Sequence, residues 1–124
     1  MTRTTLPLAV LVAAGALVLA GPVGAMSHPK LVGVTGPHDA FTITLKNSAG
    51  QLVKTLKAGT YTFVIHDDSS LHSFALDGPH GFAKDFTAIP FKGTKTATVT
   101  LKAGKYKYYC AAHESTMFHF FRVR

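Results

Sequence analysis

The 124-residue chain has no tryptophan and one cysteine, and only 15% of its residues are charged. A single thiol excludes an intramolecular disulfide framework, a four-cysteine zinc site and any cluster that needs several thiolates. Acids are scarce: six Asp+Glu stand against 13 Lys+Arg, for a net charge of +7. At 47%, hydrophobic residues are too abundant for a disordered polyelectrolyte. Gly-x-Ser-x-Gly, His-Glu-x-x-His and the phosphate-binding P-loop pattern are all missing. The length leaves room for one domain and one core.

The longest apolar run, Leu8–Ala20, has 13 residues, whereas a spanning helix needs about 20. Arg3 precedes it, Gly21-Pro22 breaks it, and Val23 and Ala25 place small residues at the −3 and −1 positions of a signal-peptidase site. The pattern predicts a secretory signal over residues 1–25, with a retained anchor as the alternative. No cysteine follows the run, which excludes lipidation at that point. Removing 25 residues leaves 99, and losing Arg3 lowers the charge to +6. The expected location is extracytoplasmic, either secreted or periplasmic. A lone thiol is a liability in an oxidising compartment unless something occupies it, which directs attention to Cys110.

From residue 40 the apolar period is two. Phe41, Ile43 and Leu45 alternate with Thr42, Thr44 and Lys46, and Asn47-Ser48-Ala49-Gly50 follows as a turn. Tyr61, Phe63 and Ile65 form a second alternating set, and Ala97, Val99 and Leu101 a third. Tyr106, Tyr108 and Cys110 share one face of a fourth strand, and Phe118–Val123 is aromatic and β-branched enough for a fifth. No window carries a capped 3.6-residue apolar period. Residues 26–39 read as an N-terminal segment and residues 40–124 as one all-β domain, an antiparallel sandwich or barrel. The phrase Thr55-Leu56-Lys57-Ala58-Gly59-Thr60-Tyr61 is echoed 45 residues later by Thr100-Leu101-Lys102-Ala103-Gly104-Lys105-Tyr106. Two similar hairpins at these points would deliver the segments beyond them to one end of the sandwich.

Those segments carry the chemistry. Cys110-Ala111-Ala112-His113-Glu114-Ser115-Thr116-Met117 gives Cys-x2-His-x3-Met in the loop before the last strand, and His72 sits in a polar loop after an earlier one. A thiolate, two imidazoles and a thioether make the His2Cys site with a weak axial Met that suits copper and one-electron transfer. Zinc fits less well, because a thioether is a poor ligand for it. His28, His38, His66, His80 and His119 are not expected as primary ligands, and Glu114 has no second carboxylate beside it for acid–base work.

In these residues the chain resembles the cupredoxins, the small type 1 (blue) copper proteins of the plastocyanin and azurin kind, over roughly residues 40–124. The resemblance rests on the order His … Cys-x2-His-x3-Met and on a strand before each ligand group. It implies a Greek-key β-sandwich with one copper ion at one end. His72, Cys110 and His113 would be equatorial ligands and Met117 the axial one. It implies a one-electron carrier between redox partner proteins, not an enzyme, with the partly exposed His113 as electron exit. Ser73 stands where many members have Asn, three residues separate His113 from Met117, and Phe118 stands where Gly is frequent. Tyr109 and Ala111 flank Cys110 in place of the histidines that wire multicopper oxidases, and a binuclear centre would need a second Cys. The alternatives are a copper-delivery protein and a structural sandwich that has lost copper. The charge of +6 suggests an acidic docking surface on the partner or an anionic cell surface. Single, dispersed lysines argue against nucleic acid. A monomer without stable membrane insertion is expected once the signal is removed.

Overall fold

The computed structural model describes Gly21 and residues 27–124. The expected signal, residues 1–25, lies outside the described residues apart from Gly21.

Among the described residues nine strands run in chain order: β1 Lys30–Thr35, β2 Ile43–Asn47, β3 Thr55–Leu56, β4 Gly59–Asp67, β5 Phe74–Asp77, β6 Ala83–Thr87, β7 Gly93–Leu101, β8 Gly104–Tyr109 and β9 Phe118–Val123. They form a four-stranded sheet in the order β2-β1-β4-β7 and a five-stranded sheet in the order β3-β9-β8-β5-β6. No described helix is long and apolar enough to cross a membrane.

The period-two sets form the core. Tyr61, Phe63 and Ile65 of β4 and their neighbours Val99 and Leu101 of β7 share one buried core cluster with Tyr106, Tyr108 and Phe121 of the other sheet. Stacked rings line the inner face of the five-stranded sheet, Tyr106 on Phe121 at 5.2 Å and Phe74 on Tyr108 at 5.7 Å between centroids, and Phe63 stacks on Phe86 across the interior at 5.1 Å. The expected turn forms at Asn47, whose side-chain oxygen accepts from the Ala49 and Gln51 amides, with Gly50 at φ 78°.

Three features differ from the sequence reading. Residues 30–35 form β1, the strand between β2 and β4, so the sheet takes in part of the segment ahead of residue 40. The alternation in this segment is blurred by Gly33, which sits against Ile65 and Phe74 with no space for a side chain. The sheets are mixed rather than antiparallel: β1 pairs with β4 and β3 with β9 in parallel. The two echoed phrases are not hairpins. β3 and β4 lie in different sheets, as do β7 and β8, so each phrase carries the chain across the end of the sandwich. Both crossings use the same fastening, Tyr61 Oη donating to the Lys57 carbonyl at 2.7 Å and Tyr106 Oη to the Lys102 carbonyl at 2.9 Å. The geometric consequence is as expected, because β4 and β8 both run from this end to the other, where His72 and Cys110 follow them.

Candidate metal centre

Each candidate donor is held by the strand that ends beside it. β8 stops at Tyr109 and leaves Cys110 buried on the inward parity of Tyr106 and Tyr108. A short 3-10 turn, Ala111–His113, then brings His113 back over the thiol, with the His113 amide donating to the Cys110 carbonyl at 3.1 Å. Met117 closes the loop. Its amide donates to the His113 carbonyl at 2.8 Å, and its carbonyl accepts from the Cys110 amide at 3.0 Å. The Met117 side chain is buried.

His72 arrives from the other arm. Beyond β4 the chain turns at Asp67–Ser69, where the Asp67 carboxylate accepts from the Ser69 amide at 3.3 Å and the Ser69 hydroxyl from the Leu71 amide at 3.1 Å. Residues Ser73 and Phe74 are braced from below. Thr35 Oγ1 donates to the Ser73 carbonyl at 3.1 Å, and Thr87 Oγ1 accepts from the Phe74 amide at 2.9 Å. Burial raises the Asp67 carboxyl above its usual value, against hydrogen bonds from Thr87 and Ser69 that lower it. Its second oxygen has no hydrogen-bond partner.

The three donors converge. His72 Nδ1 stands 3.2 Å from His113 Nδ1, and Cys110 Sγ lies 3.9 Å from the first and 3.6 Å from the second. Donors about 2.0 Å (nitrogen) and 2.3 Å (sulfur) from one ion in a trigonal plane stand about 3.5 and 3.7 Å apart. The observed triangle therefore fits a single ion with little rearrangement. Among the described residues this is the one His/Cys/Asp/Glu group of metal-binding spacing. The other histidines are elsewhere. His66 contacts Thr94 Oγ1 at 3.0 Å, His38 and His80 sit in tight turns at φ 53° and 58°, and His119 is exposed with its ring 5.6 Å from Tyr108.

Two further residues surround the donors. Ser73 donates to the thiol sulfur from its amide at 3.4 Å and its hydroxyl at 3.8 Å, and its hydroxyl accepts from the Ala111 amide at 3.1 Å. Ser73 therefore stitches the two donor arms together in the place where Asn is frequent. Phe41 is the residue that sequence reading missed. Its alternation with Ile43 and Leu45 suggested a core strand, but β2 begins at Ile43 and Phe41 is 60% exposed. Its ring stands edge-on to His72 at 4.9 Å and to His113 at 4.7 Å. The turn that carries it is packed down on His72. Gly36 at φ 64° approaches the imidazole so closely that a methyl group there would lie 2.7 Å from Cδ2, and the Asp39 carbonyl is 3.4 Å from His72 Nε2. His72 is fully buried and His113 is half-buried, beside exposed Ala111, Ala112 and Leu71.

No family model matches this sequence, and no curated protein matches it. Solved structures do match. The copper protein rusticyanin superposes with a TM-score of 0.54 at 16% identity, over 77% of this chain and 76% of that one. Reduced rusticyanin gives 0.54 at 18% identity, over 77% and 78%. The chain has the cupredoxin fold that its sequence resembles.

Proposed function

We propose that the chain binds one copper ion in a type 1 site and carries single electrons between redox partners outside the cytoplasm. The observation that carries this reading is the preformed triangle of His72 Nδ1, Cys110 Sγ and His113 Nδ1. Met117 would supply a fourth, thioether donor, from a loop whose backbone is tied to both Cys110 and His113. Bound copper would supply a Cu(I)/Cu(II) couple that thiolate and thioether favour in one state and imidazole in the other.

The chain's own residues hold that site still. The sandwich end fixes both arms before the ion arrives, so a change of charge demands little movement. Hydrogen bonds from Ser73 withdraw electron density from the thiolate, favouring the reduced state. Phe41 and the turn beneath it exclude water from His72. His113 is the least covered nitrogen donor and serves as the electron exit. The surface around it is apolar, with Phe41 and Leu71 at 60% and 58% exposure, and fits the apolar rim of a redox partner protein.

The visible and paramagnetic resonance spectra of the copper-loaded protein test the assignment. An intense blue thiolate-to-copper band with a narrow copper hyperfine splitting is expected, and Cys110→Ser should abolish it. A colourless copper complex with an ordinary tetragonal signal would refute the type 1 reading.

A further inference from the structure

Bases and acids are segregated along the strand direction. Lys30 opens β1, Lys46 lies near the end of β2, and Lys54 and Lys57 flank β3. Lys102 occupies the β7–β8 crossing, Lys105 pairs across β8–β9 with Arg122, and the Arg124 carbonyl accepts from the Ala58 amide. All eight are exposed, and all belong to the end of the sandwich opposite the donor triangle. The described residues contain twelve bases, so two-thirds of them occupy this pole. None of the six acids does: Asp39, Asp67, Asp68 and Glu114 are at the donor end, and Asp77 and Asp85 lie on the β5–β6 flank. Asp77, paired with Lys107, is the acidic side chain nearest the pole, so bases outnumber acids there and the local field is positive.

The chain also enters the fold here. The Pro29 carbonyl accepts from the Thr62 amide at 2.9 Å and β1 begins at the next residue. Only residues 21–28 separate this point from the apolar run Leu8–Ala20, a reach of no more than about 30 Å. On the reading of that run as an export signal, the basic pole is the part of the domain held nearest the bilayer while the chain is delivered.

We infer that the basic pole is an attachment surface for an anionic phospholipid bilayer, with the donor end turned outward. Each Lys or Arg near such a surface adds its own increment of attraction, and eight on one pole act in concert. This surface is separate from the apolar rim around His113, so attachment and electron exchange would not compete for it.

Sedimentation with vesicles tests the inference on the metal-free chain from Ser27 to Arg124, which holds every described strand, so the result does not depend on the copper reading. Binding is expected to phosphatidylglycerol-containing vesicles and not to pure phosphatidylcholine, with loss at high ionic strength. The triple variant Lys57→Glu, Lys102→Glu, Arg124→Glu should bind about tenfold more weakly or worse. The control Lys84→Glu, Lys92→Glu, Lys95→Glu makes the same change in net charge away from the pole and should retain most of the affinity. Circular dichroism and melting establish that both variants fold. Equal losses in the two variants would overturn the inference in favour of overall charge. Equal binding to both lipids would overturn it in favour of apolar insertion. Binding to a soluble polyanion but not to anionic vesicles would overturn it in favour of an acidic polymer or protein.

Discussion

The Ser73 hydroxyl donates to the Cys110 sulfur and accepts from the Ala111 amide, so its removal affects both electronics and geometry. Ser73→Ala leaves the thiolate more electron-rich and should lower the reduction potential by about 40 mV, the equivalent of about 1 kcal/mol for one electron; protein-film voltammetry would measure it, and an unchanged potential would show that this hydrogen bond has no influence on the couple. Phe41→Ala removes two edge-on ring contacts, each worth about 0.5–1.5 kcal/mol where desolvated. Copper should then leave faster to a chelator, with the protein's melting temperature little altered because the ring is largely exposed. Asp67 carries the pH dependence. Its raised carboxyl value means that the folded state retains a proton where the unfolded chain has lost it. The corresponding stability is complete below the ordinary value of 3.8 and is lost as pH rises through the raised one. Asp67→Asn should flatten that part of the melting-temperature curve, measured in a Cys110→Ser background without metal. At this scale the cluster was legible, since Cys110 and His113 stand three residues apart just after a strand and the structure brings His72 to them. Phe41 was not, because an aromatic in period with Ile43 and Leu45 looks the same in sequence whether it ends a strand or caps two imidazoles.

Among the elements, the period of two identified strand faces but not partners. β5, β6 and the two-residue β3 have too few alternating positions to declare themselves, and parallel pairing of β1 with β4 depends on a crossing that no local pattern encodes. The repeated Leu-Lys-Ala-Gly phrase did encode something, namely the tyrosine hydrogen bond to the Lys57 or Lys102 carbonyl. Tyr61→Phe and Tyr106→Phe should each cost about 1 kcal/mol in denaturant unfolding. The consequence should reach the site, because these crossings launch the two strands that carry the donor arms. Gly33→Ala gives a sharper test of the β1–β4 pair. The added methyl would lie 2.5 Å from Ile65 Cδ1 and 2.8 Å from Phe74 Cε2, an overpacking expected to destabilise by about 1–3 kcal/mol. A neutral result would mean that the sheet spacing at Gly33 yields more easily than the packing of Ile65 and Phe74 implies.

For the whole molecule, the net charge was legible from composition and its segregation was not, because Lys30, Lys57, Lys102 and Arg124 meet at one pole only after the strands are placed. The tyrosines show a second property of the assembled sandwich. With no tryptophan, the intrinsic emission comes from Tyr61, Tyr106, Tyr108 and Tyr109 alone, and three of these lie on the single strand β8, which ends one residue before Cys110. Burial and the neighbouring Asp77 carboxylate hold the Tyr109 phenol up at about 12. A strongly absorbing ion beside Cys110 would drain the excited state of these rings. Tyrosine fluorescence should therefore fall in proportion to metal occupancy, giving the protein a built-in optical gauge of its own loading.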